Sequence, residues 1–149
     1  MSIQTSIQED LKAAMKGRQT LRLETLRTLR AQFLELAKRG SDKGITPDEE
    51  IAVLMTAIKK RKEAIEMFEK GGRADLAAKE KQEIEIISAY LPPQLNAEEA
   101  EAVIRTVITQ TGASSSMDFG KVMSAAMKEL KGKIDGKVVQ DLVRKHLGG

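Results

Sequence analysis

Two apolar stripes joined by a basic turn constrain this chain more than any other feature. Phe119, Val122, Met123, Ala126 and Leu130 recur at helical spacing, and Val138, Val139, Leu142, Val143 and Leu147 repeat the pattern one helix later. Between them lies KGKIDGK, Lys131 to Lys137, with three lysines and two glycines in seven residues. Helices whose apolar faces meet in this way form a hairpin, and KGKIDGK is its elbow. Local structure accounts for part of that elbow. Gly132 suits the left-handed position that closes one helix, Asp135 suits the cap of the next, and lysines at a helix end favour its dipole. A packed core does not require three lysines there, whereas an anionic partner such as a phosphate backbone does. At the level of sequence both accounts stand: turn chemistry alone, or turn chemistry with a phosphate contact.

The rest of the chain also reads as helices. Ile3, Ile7, Leu11 and Ala14 begin an amphipathic helix that stops at Gly17. Leu26, Leu29, Phe33 and Leu36 carry a longer one, which ends in the loop Arg39 to Ile45. Thr46 caps a third helix, with Pro47 at its first position and Asp48, Glu49 and Glu50 in its first turn. Its stripe is Ile51, Leu54, Met55, Ile58, Ile65 and Phe68, and Gly71-Gly72 ends it. A fourth helix is expected from about Arg73 to Tyr90. Pro92-Pro93 is the sharpest break, because neither residue continues a helix. Asn96 then caps a fifth helix with Glu99 completing a capping box, Gly112 ends it, and the loop ASSSMD leads to the terminal hairpin. The expected fold is all-α: an N-terminal four-helix module over residues 1–91, and a small three-helix module over 92–149. The second is close to the lower size limit for a self-supporting core. The break also marks Gln94 to Ala97, with the loop Arg39 to Ile45, as the expected sites of first proteolysis.

Composition narrows the chemistry. The 149 residues include no cysteine, which removes disulfides, thiolate catalysis and cysteine-based metal sites. An apolar share of 41% beside 32% charged residues is globular, and no apolar run approaches a membrane span of roughly 20 residues. The start MSIQTSIQEDLK lacks a basic n-region and an apolar h-region, so no signal peptide is expected and the address is cytoplasmic. The net charge is only +3, so nucleic-acid contacts must come from local clusters. Four aromatic residues, Phe33, Phe68, Phe119 and Tyr90, leave little for base stacking. An RNA partner is therefore read by shape and phosphates.

Candidate chemistry is sparse. Lys59, Lys60, Arg61 and Lys62 form the longest basic run, yet helical residues step by about 100°, so four in a row point around the circumference. Lys59 and Lys62 can pair with Glu63 and Glu66, so the run is a weaker basic candidate beside a solvated-face reading. Arg18 and Arg22 share the phase of Leu29 and Phe33 and are expected to snorkel or meet a carboxylate. The single histidine, His146, is in the last turn of the chain, where satisfying helix-end carbonyls is the expected role. No metal site, cofactor loop or positioned nucleophile is recognisable.

The ordered set Tyr90-Leu91-Pro92-Pro93-Gln94-Leu95, Gly112-Ala113-Ser114-Ser115, Gly120-Lys121-Val122-Met123 and Lys131-Gly132-Lys133-Ile134-Asp135-Gly136-Lys137 closely resembles the YqeY family, across essentially the whole chain. YqeY-like proteins share this region with the tail domain of GatB, a component of the glutamine-dependent aspartyl/glutamyl-tRNA amidotransferase. There it is a helical appendage contacting the outer corner of tRNA. The resemblance implies a two-module helical fold and a tRNA-linked role; no DNA, membrane or cofactor is expected from the residues. It also implies an inherited label, carbon–nitrogen ligase with glutamine as amido donor. The activating part of GatB lies outside the shared region, and the glutaminase's Ser/Lys arrangement is not recognisable here. The expectation is thus a non-catalytic tRNA-binding module. Lys121, Lys131, Lys133 and Lys137 are its phosphate contacts, Gly132 and Gly136 allow close backbone approach, and Asp135 sets the turn. The alternative is an accessory or regulatory component of an amidotransferase-like complex, held through apolar helix faces.

Overall fold

The structure, a computed structural model, describes residues 2–39 and 44–148; within the loop expected at Arg39 to Ile45, residues 40–43 lie outside the described residues. The fold is all-α, with no strand among the described residues. Helices α1 (Ile3–Lys16), α2 (Thr20–Ala37), α3 (Pro47–Lys70) and α4 (Ala74–Ser88) precede the double proline. Helices α5 (Ala97–Thr111), α6 (Phe119–Leu130) and α7 (Gly136–Leu147) follow it. The chain divides into two compact units, Met1–Leu91 and Pro92–Gly149.

In the first unit, the starts of α1 and α3 are fixed by local side-chain hydrogen bonds, while α2 and α4 start without one. The Ser2 side chain accepts from the Thr5 amide, and Thr46 and Glu49 form a reciprocal capping box at α3. Ile7, Leu11, Leu26, Leu29, Phe33, Leu54, Ala57, Ile58, Ile87 and Leu91 make one continuous core. Gly17 ends α1 with an ordinary right-handed backbone, and Arg18 instead takes the left-handed conformation at φ 53°. Arg18 is therefore in the turn and exposed. Arg22 meets a carboxylate, its guanidinium 3.4 Å from Asp10 Oδ2. The Tyr90 hydroxyl donates to that same oxygen at 2.5 Å; α4 ends at Ser88, so Tyr90 is free to reach back to α1. Burial first, and then the Asp10 carboxylate, raise the Tyr90 pKa, so the phenol stays a donor. Glu50 is buried and accepts from the Gln4 amide at 2.8 Å, satisfying one of the free donors in the first turn of α1.

A second polar cluster lies where α2, α3 and α4 meet. Arg61 points inward and its Nε is 3.7 Å from Glu83 Oε2, both side chains being 12% exposed. The buried Thr25 hydroxyl donates to the Leu21 carbonyl at 2.8 Å and approaches Glu83 Oε1 at 3.4 Å. One turn before Glu83, Glu80 is pushed above the ordinary carboxylate range, by burial first and by the Glu83 charge and hydrogen bond second. A carboxyl with a raised folded-state pKa is fully tolerated below its unfolded value and costs stability as pH rises through the folded one. Glu80→Gln is therefore expected to raise the melting temperature of the first unit by about 2–4 °C at pH 7, and to give no gain near pH 4. Melts at the two pH values check this; an equal effect at both would locate the gain elsewhere.

In the second unit, Asn96 and Glu99 form the capping box expected at α5. Gly112 closes that helix at φ 68°. The loop after it is not structureless: Ser116–Asp118 make a 3-10 turn, and Asp118 accepts from the Ser114 amide. Ala100, Ile104, Val107, Val122, Ala126, Leu130, Val139, Val143 and Leu147 form the core of this unit.

Candidate nucleic-acid interface

The elbow between α6 and α7 is built from its glycine outward. Lys131 leaves α6 in an extended conformation, and Gly132 turns the chain at φ 77°. The Lys133 amide then returns to the Leu130 carbonyl at 2.9 Å. Asp135 caps α7, its Oδ1 accepting from the Lys137 amide at 3.1 Å. Lys131 and Lys137 are exposed and Lys133 is half-buried. The ammonium groups of Lys133 and Lys137 have no ion-pair partner among the described residues.

Sequence reasoning did not foresee that the elbow is also the seat of the segment after the double proline. Gln94 Nε2 donates to the Gly132 carbonyl at 2.6 Å and to the Pro92 carbonyl at 2.9 Å. The Leu95 amide donates to the Lys133 carbonyl at 2.8 Å. Two of the ordered motifs, Pro92 to Leu95 and Lys131 to Lys137, are thus one construction in space. This revises the role of Gly132. Its residue is buried and its carbonyl is already taken, so its small size serves the left-handed turn and the seating of Gln94. Gly136 differs. A Cβ added there would meet nothing within 4 Å, and its φ is not positive, so neither packing nor backbone conformation demands glycine.

Lys121 does not join the elbow. It lies at the opposite end of α6, where its Nζ donates to the Thr111 carbonyl at 3.1 Å and satisfies the end of α5. The run Lys59 to Lys62 divides as its phase dictates. Arg61 turns into the cluster with Glu83, while Lys59, Lys60 and Lys62 are exposed.

The same seating alters the expected proteolysis. Gln94 and Leu95 are held by hydrogen bonds and Asn96 caps α5, while Leu91 belongs to the core of the first unit. Gln94→Ala is therefore expected to make Gln94 to Ala97 a cleavage site for a broad-specificity protease, whereas the wild-type segment resists. Wild-type cutting there as fast as the variant would contradict the seating.

A third basic locus escaped the sequence reading. His146 Nε2 lies 2.8 Å from Glu101 Oε1, not on helix-end carbonyls, and Arg105 and Lys145 meet the same oxygen. The His146 hydrogen bond above all, then the Lys145 and Arg105 charges, hold the Glu101 carboxyl below its ordinary range. The i, i+4 spacing of Glu101 and Arg105 was legible; the 45-residue separation of Glu101 and His146 was not. Among the described residues, no group of three or more His, Asp or Glu side chains is placed to hold a metal ion. No helix among them is long and apolar enough to cross a membrane.

What fold and site define together is an all-helical protein in two units whose C-terminal unit displays a basic, glycine-turned elbow. The chain belongs to the YqeY family: the family model described as "Yqey-like protein" matches residues 4–147. Curated relatives match much of the chain. A Schizosaccharomyces pombe protein titled uncharacterized is 37% identical over 61% of this chain and 73% of its own length. Altered inheritance of mitochondria protein 41, mitochondrial, from Lachancea thermotolerans is 32% identical over 89% of this chain and 68% of its own. The protein of that name from Pyrenophora tritici-repentis is 26% identical over 95% and 79%.

Proposed function

We infer that this protein is a non-catalytic, tRNA-linked helical binding module whose elbow contacts phosphates. The observation that carries this reading is the pairing of unspent charge with open space. Lys133 and Lys137 have no carboxylate partner among the described residues, and Gly136 between them leaves room that the fold itself does not use. Three lysines in seven residues exceed what capping a hairpin needs, since Gly132 and Asp135 already do that work. The address in this reading is cytoplasmic, although several relatives carry mitochondrial names. The reading gives the chain no glutaminase centre; any amidotransferase chemistry belongs to a partner.

The test is tRNA binding by the purified full chain across a salt series. Affinity is expected to fall linearly in log–log form, by about 0.7–0.9 in slope for each phosphate contacted. Salt-independent binding would remove the phosphate reading. It would favour the alternative, an accessory protein docked on a partner through apolar faces. A groove of about 730 Å³ between α2 and α3, bordered by Ala31, Leu36, Ala52 and Val53, supports that alternative.

A further inference from the structure

The basic charge of the C-terminal unit extends beyond the elbow. At the far end of α7, Arg105 of α5 and Lys145 of α7 share one carboxylate, Glu101, at 3.3 and 3.5 Å, with His146 at 2.8 Å. Their side chains are 65% and 68% exposed, and one carboxylate cannot offset both. Beside them the exposed Arg144 has its guanidinium over the Phe119 ring, 5.2 Å from its centroid. Lys137, Asp141, Arg144 and Lys145 are all exposed and recur at i, i+4, i+7 and i+8, so they share the outer face of α7. From Lys137 to Arg144 and Lys145 that face runs about 10–12 Å along the helix axis.

We propose that Arg105, Arg144 and Lys145 form a second phosphate-binding surface, so that the outer face of α7 lies across the minor groove of an A-form RNA duplex. The elbow lysines meet phosphates of one strand and the far cluster meets those of the other. This deepens the elbow reading and rests on it for the first set of contacts. The span of the charges exceeds the roughly 6 Å minor groove of B-DNA and matches its major groove of about 12 Å, so on DNA the face would lie in the major groove, whereas on A-form RNA only the wide, shallow minor groove admits it. One observation favours RNA over DNA. Asp141, midway along the face, can only accept hydrogen bonds, and the 2′-hydroxyls displayed in that groove are donors that DNA lacks. Glu101 competes with phosphate for Arg105 and Lys145, which gives its removal a sign that a purely structural carboxylate would not have.

The test uses the full chain, a tRNA transcript, an RNA duplex of about 16–20 base pairs, and the DNA duplex of the same sequence, each titrated at several KCl concentrations. Arg105→Gln, Arg144→Gln and Lys145→Gln together are expected to weaken RNA-duplex binding on the order of ten- to a hundredfold at low salt, and to flatten the log–log slope by about 2–3. Glu101→Gln, which keeps a side chain able to hydrogen-bond His146, is expected to tighten binding severalfold. Should the triple variant melt early, Arg105→Gln alone carries the comparison, because the Arg105 side chain is 65% exposed and Glu101 keeps Lys145 and His146 as partners. If the far-cluster variant binds like wild type while Lys131→Ala with Lys133→Ala is weakened, the second surface is overturned and the elbow reading stands. If neither set of variants changes binding, both fall. Weaker binding by Glu101→Gln at unchanged melting temperature overturns the phosphate role of Arg105 and Lys145. Equal affinity for the two duplexes overturns the minor-groove assignment.

Discussion

Gly132→Val is expected to unfold the Pro92–Gly149 unit at temperatures where the wild-type unit is stable. Gly132 sits at φ 77°, a region in which an L-residue pays about 1–2 kcal/mol and a β-branched one more. The residue is also buried, and its carbonyl receives the Gln94 amide at 2.6 Å, so the turn cannot relax without unseating the segment after the double proline. Together these effects amount to roughly 2–4 kcal/mol, in a unit of a size whose whole stability is of that order. The expected drop in melting temperature is roughly 10–20 °C. Gly136→Val is the matched control. It meets open space and a backbone whose φ is not positive, and valine is no poorer a helix former than glycine, so the change in stability should be under about 1 kcal/mol. Helix signal of the full chain against temperature decides the point. If Gly132→Val and Gly136→Val melt together, the turn does not depend on its left-handed glycine.

The parts of this structure that were legible in the sequence are those decided within a few residues. The Thr46 and Asn96 capping boxes, the Asp135 cap, the left-handed Gly112 and Gly132 and the helical stripes all follow from local rules, and each is in place. Arg61 lies between. Leu54, Ile58 and Ile65 occupy its face, so its inward turn was readable from phase, but its partner Glu83, 22 residues on, was not. Lys121 was read as a phosphate contact because its neighbours form a family-like motif, whereas its partner is a carbonyl ten residues back, across a loop. The seating of Gln94 on Gly132, 38 residues away, and the convergence of Arg105, Lys145 and His146 on Glu101 depend on how α5, α6 and α7 pack. Periodicity names the buried face of a helix but not the neighbour that covers it. Sequence therefore located the elbow and its lysines, and left out both the strut beneath it and the charge at the far end of α7.

Replacing Lys131 and Lys133 with alanine is expected to weaken tRNA binding and leave the fold intact. The backbone of both residues builds the turn, through the Lys131 amide and the Lys133 amide and carbonyl, and alanine preserves those bonds. The side chains are exposed or half-exposed, and such lysines contribute little to stability, so the melting temperature should move by no more than a few degrees. Binding is different. Each lost phosphate contact removes one released counterion, so the log–log salt slope should flatten by about 1–2 units. Lys137→Ala should add to the loss, while Lys121→Ala should leave the slope unchanged because its ammonium serves the end of α5. The most direct measurement is therefore the double-lysine variant against wild type, titrated with tRNA at four or more salt concentrations. A weaker variant with a slope flatter by about 1–2 units is the predicted result. Identical affinities and identical slopes would mean that the elbow is a solvated turn and that its lysines touch no phosphate.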